Sequence, residues 1–344
     1  MKILILRFSR IGDCVLASPI VEALRDRYPE AHLTWAVQPK AESMVRGLPN
    51  LDETLLWDNK QSRLRTLSRA LWRTRRAGFD VVLDLNGANK SGYFMLASGA
   101  KRRISGINAS RLTRWSSTEQ VQDGSKETTH RLDFYLRRAA QLDIAPDARQ
   151  RFFPRVPFLA EHRRFADEFL QCAGCDQNQR LIGLNLGASS AAKRWPPERF
   201  AELSDILLRE DSDARIIVFG APSDAPLLQQ FQAKLDSLRT TRSSTTLQGE
   251  TSDNRVLVAV GRADLLQLAA LSERCAAFVT GDTGPMHIAA AVGAPVIGIF
   301  GPTPVARAHP VQKPDGARVR VLDGQALTGL QEAPMESHSV ESVL

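Results

Sequence analysis

The chain has 344 residues, 43% of them apolar, with 45 Lys and Arg against 38 Asp and Glu and a formal charge of +7. That composition excludes a disordered polypeptide, and the length suits two domains of ordinary size. No apolar run reaches the ~18 residues that span a bilayer, and Ile3–Leu6 is too short for a signal segment, so the expected address is the cytoplasm.

The charge is unevenly spread. Residues 1–155 hold 27 Lys and Arg against 16 acids, whereas residues 156–344 hold 18 against 22. A basic front half implies a polyanionic partner: nucleic acid, an anionic membrane face or a phosphorylated substrate.

In chain order, apolar runs predict strands at Ile3–Phe8, His32–Val37, Val81–Leu85 and Arg103–Ile107. Helices are predicted near 13–28, 39–47, 62–77, 89–98 and 130–142. Leu16, Ile20, Leu24 and Tyr28 recur every four residues and form one buried face. Pro19 predicts a kink there, or a new start with Ser18 as cap. Pro146, Pro154 and Pro157 punctuate a linker, and the two halves meet around 145–178. Strands follow at Leu181–Leu186, Arg215–Phe219, Ala276–Thr280 and Pro295–Phe300, with helices near 197–210, 223–238, 263–274 and 284–292. From about 324 the chain is polar and weakly periodic, which predicts only a short terminal helix. Alternating strands and helices with near-continuous apolar strands predict parallel, doubly wound sheets. Ligands of such sheets sit outside the carboxyl ends of strands.

Three segments occupy that position. In Arg7-Phe8-Ser9-Arg10-Ile11-Gly12-Asp13, Asp13 reads either as a helix N-cap or as a general base, with Arg7 and Arg10 to hold an anionic acceptor. Asn185–Pro197 runs through small residues to Lys193, Arg194 and Trp195. It reads either as a solvated loop pinned by Trp195 or as a diphosphate loop using Ser189 or Ser190 and Lys193. Val279–Ala291 joins a strand to a helix with Pro285 at its first position. The amides of Gly284, Met286 and His287 and the Thr283 hydroxyl suit phosphate, and Asp282 suits sugar hydroxyls. The alternative is a capped turn with a packed His287.

Weaker features remain. Lys60, Arg63, Arg65, Arg69, Arg73, Arg75 and Arg76 form a run without an acid, either a solvated helix face or, with Lys101, Arg102 and Arg103, a seat for anionic lipid or a phosphorylated acceptor. Asp211-Ser212-Asp213 precedes its strand and reads as a plain loop. Cys172 and Cys175 have no second pair or Cys/His partner at zinc spacing and read as ordinary thiols; with the D-x-D of Asp211–Asp213 misplaced as well, no metal is expected.

MKILILRFSRIGDCVLASPIVEALRDRYPEAHLTWAV, VVLDLNG, LNLGASSAAKRWPPERFAEL and VTGDTGPMHIAAAVGAPVIGIFGPT, in this order, resemble glycosyltransferase family 9, the ADP-heptose:lipopolysaccharide heptosyltransferases. The resemblance implies an α/β GT-B fold: two Rossmann-like, doubly wound parallel-sheet domains facing across a cleft. Residues 1–155 would bind the acceptor and 156–344 the nucleotide-sugar donor. It implies Asp13 as catalytic base and Lys193 as the diphosphate-binding lysine, with Ser189 near a hydroxyl contact. Asp282 would hold the donor sugar, Thr283 and Gly284 the phosphates, and Asp224 the ribose, with His287 as the donor-site histidine. The tail after Gly324 departs from the family in lacking a cysteine-bearing segment, and 86–130 matches nothing distinctive.

The expected activity is inverting transfer of heptose from ADP-heptose to the inner core of lipopolysaccharide, without cofactor or metal. The partners expected are an anionic glycolipid acceptor and the inner membrane face, not nucleic acid. Competing readings are a GT-B enzyme with another nucleotide sugar or a non-lipid acceptor, a sugar-nucleotide epimerase, and a nucleic-acid binder.

Overall fold

A computed structural model describes residues 1–58, 63–125, 127–145, 147–176, 179–243, 254–313 and 318–344; Lys60 and Pro146, singled out above, lie outside them. The chain divides into two compact units, Met1–Pro157 and Phe158–Leu344.

The first unit holds strands β1 (Lys2–Leu6), β2 (His32–Val37), β3 (Glu53–Leu56), β4 (Val81–Asp84), β5 (Arg102–Gly106) and β6 (Glu119–Val121). They form one sheet in the order β3-β2-β1-β4-β5-β6, every pair parallel. β1 is its centre because Ile3 to Leu6 bury on both faces, and Ile3 lies opposite both Leu33 and Val81. This order reverses direction between β1 and β4. Loops leaving those two strands diverge there and open a crevice at their carboxyl ends. Beneath the crevice Phe8, Trp57 and Phe94 pack with ring centroids 5.1 to 5.7 Å apart.

The second unit repeats the plan with β7 (Arg180–Asn185), β8 (Ala214–Phe219), β9 (Val256–Val258), β10 (Ala277–Gly281), β11 (Val296–Phe300) and β12 (Val319–Asp323). Its order is β12-β11-β10-β7-β8-β9, again all parallel. The reversal falls between β7 and β10, whose following loops carry Lys193 and Asp282.

Four strands are additional to those predicted: β3, β6, β9 and β12 occupy the sheet edges, where short, half-polar segments suffice. The predicted helix over 13–28 is two helices, Ile11–Ala17 and Pro19–Arg27. Pro19 cannot donate to the preceding turn, which ends the first helix. Ser18 does not cap the second with its side chain. Its hydroxyl donates to the Val15 carbonyl at 2.7 Å and accepts from the Arg155 amide at 2.8 Å. Arg155 also pairs with Glu22.

The tail does more than form a short helix. Ala333, Met335, His338, Val340 and Val343 are buried, and the Trp195 indole donates to the His338 carbonyl at 3.0 Å. His338 is tied in turn to the Phe300 carbonyl at 2.8 Å. The loop bearing Lys193 therefore rests on the tail.

Candidate functional site

In the first unit the chain leaves β1 through Arg10, which adopts φ +69°, and enters the helix Ile11–Ala17. Asp13 is the third residue of that helix rather than its cap, and only 2% exposed. Its carboxylate accepts from Arg7 and, at 2.8 Å, from Arg131 Nη1. Arg7 is turned inward, donates to the Leu85 carbonyl at 3.2 Å, and lies 5.9 Å from the Tyr135 ring centroid. Burial opposes charge on Arg7, but Asp13, Tyr135, Cys14 and Asp84 outweigh it and hold its pKa above the ordinary value. Burial pushes the Tyr135 phenol up to about 12. Of the two arginines expected to hold an acceptor, Arg7 is thus the partner of Asp13, and Arg10 is the exposed one.

Behind this group Arg138 grips Asp123 with two bonds of 2.9 and 2.8 Å and donates to the Asp84 carbonyl at 2.8 Å. Asp123 and Asp84 are fully buried. A buried carboxylate needs such a partner, because an unpaired charge in the interior is strongly destabilising. Sequence reasoning missed Arg131, Tyr135 and Arg138. The available signal was their spacing of four and three on the helix Arg131–Ala139, which puts them on one face.

In the second unit Lys193 Nζ lies 2.5 Å from Asp282 Oδ2. Burial alone would raise the Asp282 pKa; the Lys193 ammonium, His287 and a bond from Thr303 reverse the sign and hold it below 3.8. Gly281 makes the pairing possible: a Cβ there would lie 2.5 Å from the Lys193 carbonyl oxygen. Asn185, at the end of β7, donates to the Gly187 carbonyl at 2.9 Å, to Thr280 Oγ1 at 3.0 Å and to Thr283 Oγ1 at 3.4 Å. Thr283 precedes the helix Gly284–Ala291 without capping it with its side chain, and Pro285 stands in the first turn. His287 is buried in that turn.

Asp224 ends a short turn after β8, accepts from the Ala221 amide at 2.9 Å, and packs over Gly187, where a Cβ would sit 2.2 Å from its Oδ2. The structure thus gathers Lys193, Asp224, Asp282, Thr283, Gly284 and His287 at the carboxyl ends of β7, β8 and β10. Ser189 is exposed on the Lys193 loop. Asn185, Gly281 and Thr303 were not assigned roles from sequence; Asn185 and Gly281 fix the loops after β7 and β10 to each other, and Thr303, after β11, bonds to Asp282.

Asp211 pairs with Arg180 at 2.9 Å, away from this group in the loop before β8. Among the described residues no group of three or more His, Cys, Asp or Glu could hold a metal. Nor is any described helix long and apolar enough to cross a membrane.

Comparison with known proteins bears on both units. The lipooligosaccharide heptosyltransferase 2 of Haemophilus ducreyi is 24% identical, covering 97% of this chain and 94% of its own. The crystal structure of a family 9 glycosyl transferase from Veillonella parvula superposes with a TM-score of 0.82 at 26% identity, covering 99% of this chain and 94% of that one. An E. coli ADP-heptose lipopolysaccharide heptosyltransferase II superposes with a TM-score of 0.77 at 20% identity, over 100% and 96%. The profile of glycosyltransferase family 9 (heptosyltransferase) matches residues 68–322, which run from the basic helix through the loops of Lys193 and Asp282 to β12. With two doubly wound sheets of the GT-B fold and this match across most of its length, the chain belongs to glycosyltransferase family 9.

Proposed function

We propose that the protein transfers heptose from ADP-heptose to a hydroxyl of the lipopolysaccharide inner core at the cytoplasmic face of the membrane. The observation that carries this reading is the Lys193–Asp282 pair at the start of the helix Gly284–Ala291, within a chain of this family. The unit 158–344 holds the donor. Lys193 and the first-turn amides take the diphosphate, with Ser189 and Thr283 as hydroxyl contacts; Asp224 takes the ribose, and Asp282 the sugar hydroxyls. His287 stands beside Asp282 in that pocket.

The unit 1–157 presents the acceptor to Asp13. The acceptor oxygen attacks the anomeric carbon, its proton passes to Asp13, and the bond to ADP breaks with inversion. A placed general base contributes ~10²–10⁴-fold. Lys193 and the helix start meet the charge that develops on departing ADP, the preorganised term that is often largest. Arg10, exposed beside Asp13, supplies charge to an anionic acceptor. The helix Arg63–Ala77 supports seating on anionic lipid. It exposes Arg65, Arg69, Arg73 and Arg75, and Trp72, 58% exposed, has the Arg76 guanidinium 4.8 Å from its ring centroid.

The test is product analysis by mass spectrometry with ADP-heptose and core acceptor from heptose-deficient cells. Heptosylated acceptor and ADP are expected in equal amounts. Asp13→Asn, which keeps the side-chain shape, is expected to lower kcat by ~10²–10⁴-fold; it also leaves the buried Arg7 without its carboxylate and lowers the melting temperature, so turnover is compared at a temperature where circular dichroism shows both proteins folded. Near wild-type turnover by that variant would remove Asp13 as base, and transfer only from another nucleotide sugar would remove the donor assignment.

A further inference from the structure

The reading above requires an acceptor site but assigns it only Arg10 beside the base. The first unit contains a cavity of about 420 Å³, within the ~300–1,000 Å³ of small-molecule sites, lined by Asn89, Tyr93, Arg111, Leu112 and Trp115. We propose that it is a subsite for an anionic sugar unit of the acceptor, with the ring stacked on Trp115 and Tyr93 and a carboxylate or phosphate on Arg111. This rests on the glycosyltransferase reading only in naming the sugar's carrier as the acceptor.

Topology places the cavity correctly. Asn89 opens the helix Asn89–Ser98 after β4, and Arg111 opens the helix Arg111–Ser116 after β5. Both stand at the carboxyl edge of the sheet that also presents Asp13. One loop joins the two places: Arg7, the partner of Asp13, donates to the carbonyl of Leu85. Two residues on, the Gly87 carbonyl accepts from the Ser110 amide at 2.8 Å, and the Ala88 carbonyl accepts from Thr113 Oγ1 at 2.6 Å.

The helices that carry the cavity are closely packed. Gly92 lets the two helices approach so closely that a Cβ there would lie 2.8 Å from Leu112 Cγ and 2.9 Å from Ser116 Oγ. That approach fixes the two helix backbones that carry the lining side chains.

Its chemistry selects the ligand. Trp115 is 73% and Tyr93 46% exposed, large apolar faces left in water beside an amide and a guanidinium. Sugar C–H faces carry partial positive charge and stack on the negative face of an aromatic ring, while the hydroxyl rim needs donors and acceptors such as Asn89. The sign of the charge is set by the two helices themselves, which hold Lys90, Arg111 and Arg114 and no Asp or Glu. A neutral or cationic ligand gains nothing from that field, whereas an anionic sugar does.

The test uses acyl-free core oligosaccharide from heptose-deficient cells, titrated without donor into full-length Trp72→Phe protein, and followed by tryptophan fluorescence. Saturable change is expected in that protein; by calorimetry, binding is lost in Trp115→Ala, restored by Trp115→Phe, and weakened about tenfold by Arg111→Ala, the effect of one lost charged hydrogen bond. A neutral dextran oligosaccharide should bind at least about tenfold more weakly by the same reasoning. Loss of binding after phosphatase treatment assigns the anion as phosphate, and retention assigns it as carboxylate; both support the site when Arg111→Ala weakens them.

In turnover, both alanine variants should raise the acceptor KM and leave kcat, donor KM and melting temperature unchanged. Heptose transfer with an unaltered acceptor KM in both variants would overturn the subsite while leaving the proposed function intact. Saturable, Trp115-dependent binding without heptose transfer would do the reverse. Equal affinity for dextran overturns the anionic assignment.

Discussion

Asp282 carries its charge in an interior position because Lys193 stands against it, and that arrangement has a pH signature. The folded-state pKa is lowered below 3.8. A carboxylate depressed in this way contributes stability that is present above its unfolded value, ~3.9, and is lost as pH falls through the lower folded value. Asp282→Asn is therefore expected to melt below wild type at neutral pH and to converge on it in strong acid. Parallel melting curves across that range would show that the pair does not stabilise the fold. At this scale the sequence was partly legible. Lys193 and Asp282 were visible because each follows an apolar strand. Arg131 and Arg138 were not, since a charged residue on a helix reads as solvent-facing until its buried partner is known; Asp13 lies 118 residues from Arg131, and Asp123, 15 residues from Arg138, lies off its helix.

Among the elements, the two loops after β7 and β10 matter most, and glycine sets their separation. Gly281→Ala puts a methyl group against the Lys193 backbone, where no flexible side chain can yield. Overpacking of this kind costs ~1–3 kcal/mol, which at about 2–4 °C per kcal/mol is a clear fall in melting temperature. Because the displaced atom belongs to Lys193, kcat is expected to fall as well. Unchanged turnover would mean that the Lys193 ammonium reaches its ligand by another path. The central strands were readable from continuous apolar runs such as Ile3–Leu6. β3 and β6 were not, because ETLL and EQV bury a single residue firmly and owe their strand form to a neighbour's open edge.

For the whole molecule, both sheets reverse their strand order beside the loops that carry the candidate groups, so one rule of topology accounts for two sites. The doubly wound fold was legible because both periodicities alternate through the chain. The supporting role of the tail was hidden, since its buried residues, Met335, His338 and Val340, come from short turns without a period. A ligand that binds only the folded state stabilises it by mass action, ~2.7 kcal/mol at a hundredfold excess over Kd. ADP is therefore expected to raise the melting temperature more than UDP, GDP or CMP, and Lys193→Ala to abolish the difference. A larger response to UDP would move the protein to another donor within its family.

The Ser18 hydroxyl, which receives the Arg155 amide, has a mechanical meaning. Arg155 stands two residues before the border between the units, and Ser18 directly follows the helix that holds Asp13. The last residues of the first unit are thereby pinned to the end of the helix that carries Asp13, by the Ser18 oxygen and by the Arg155–Glu22 ion pair.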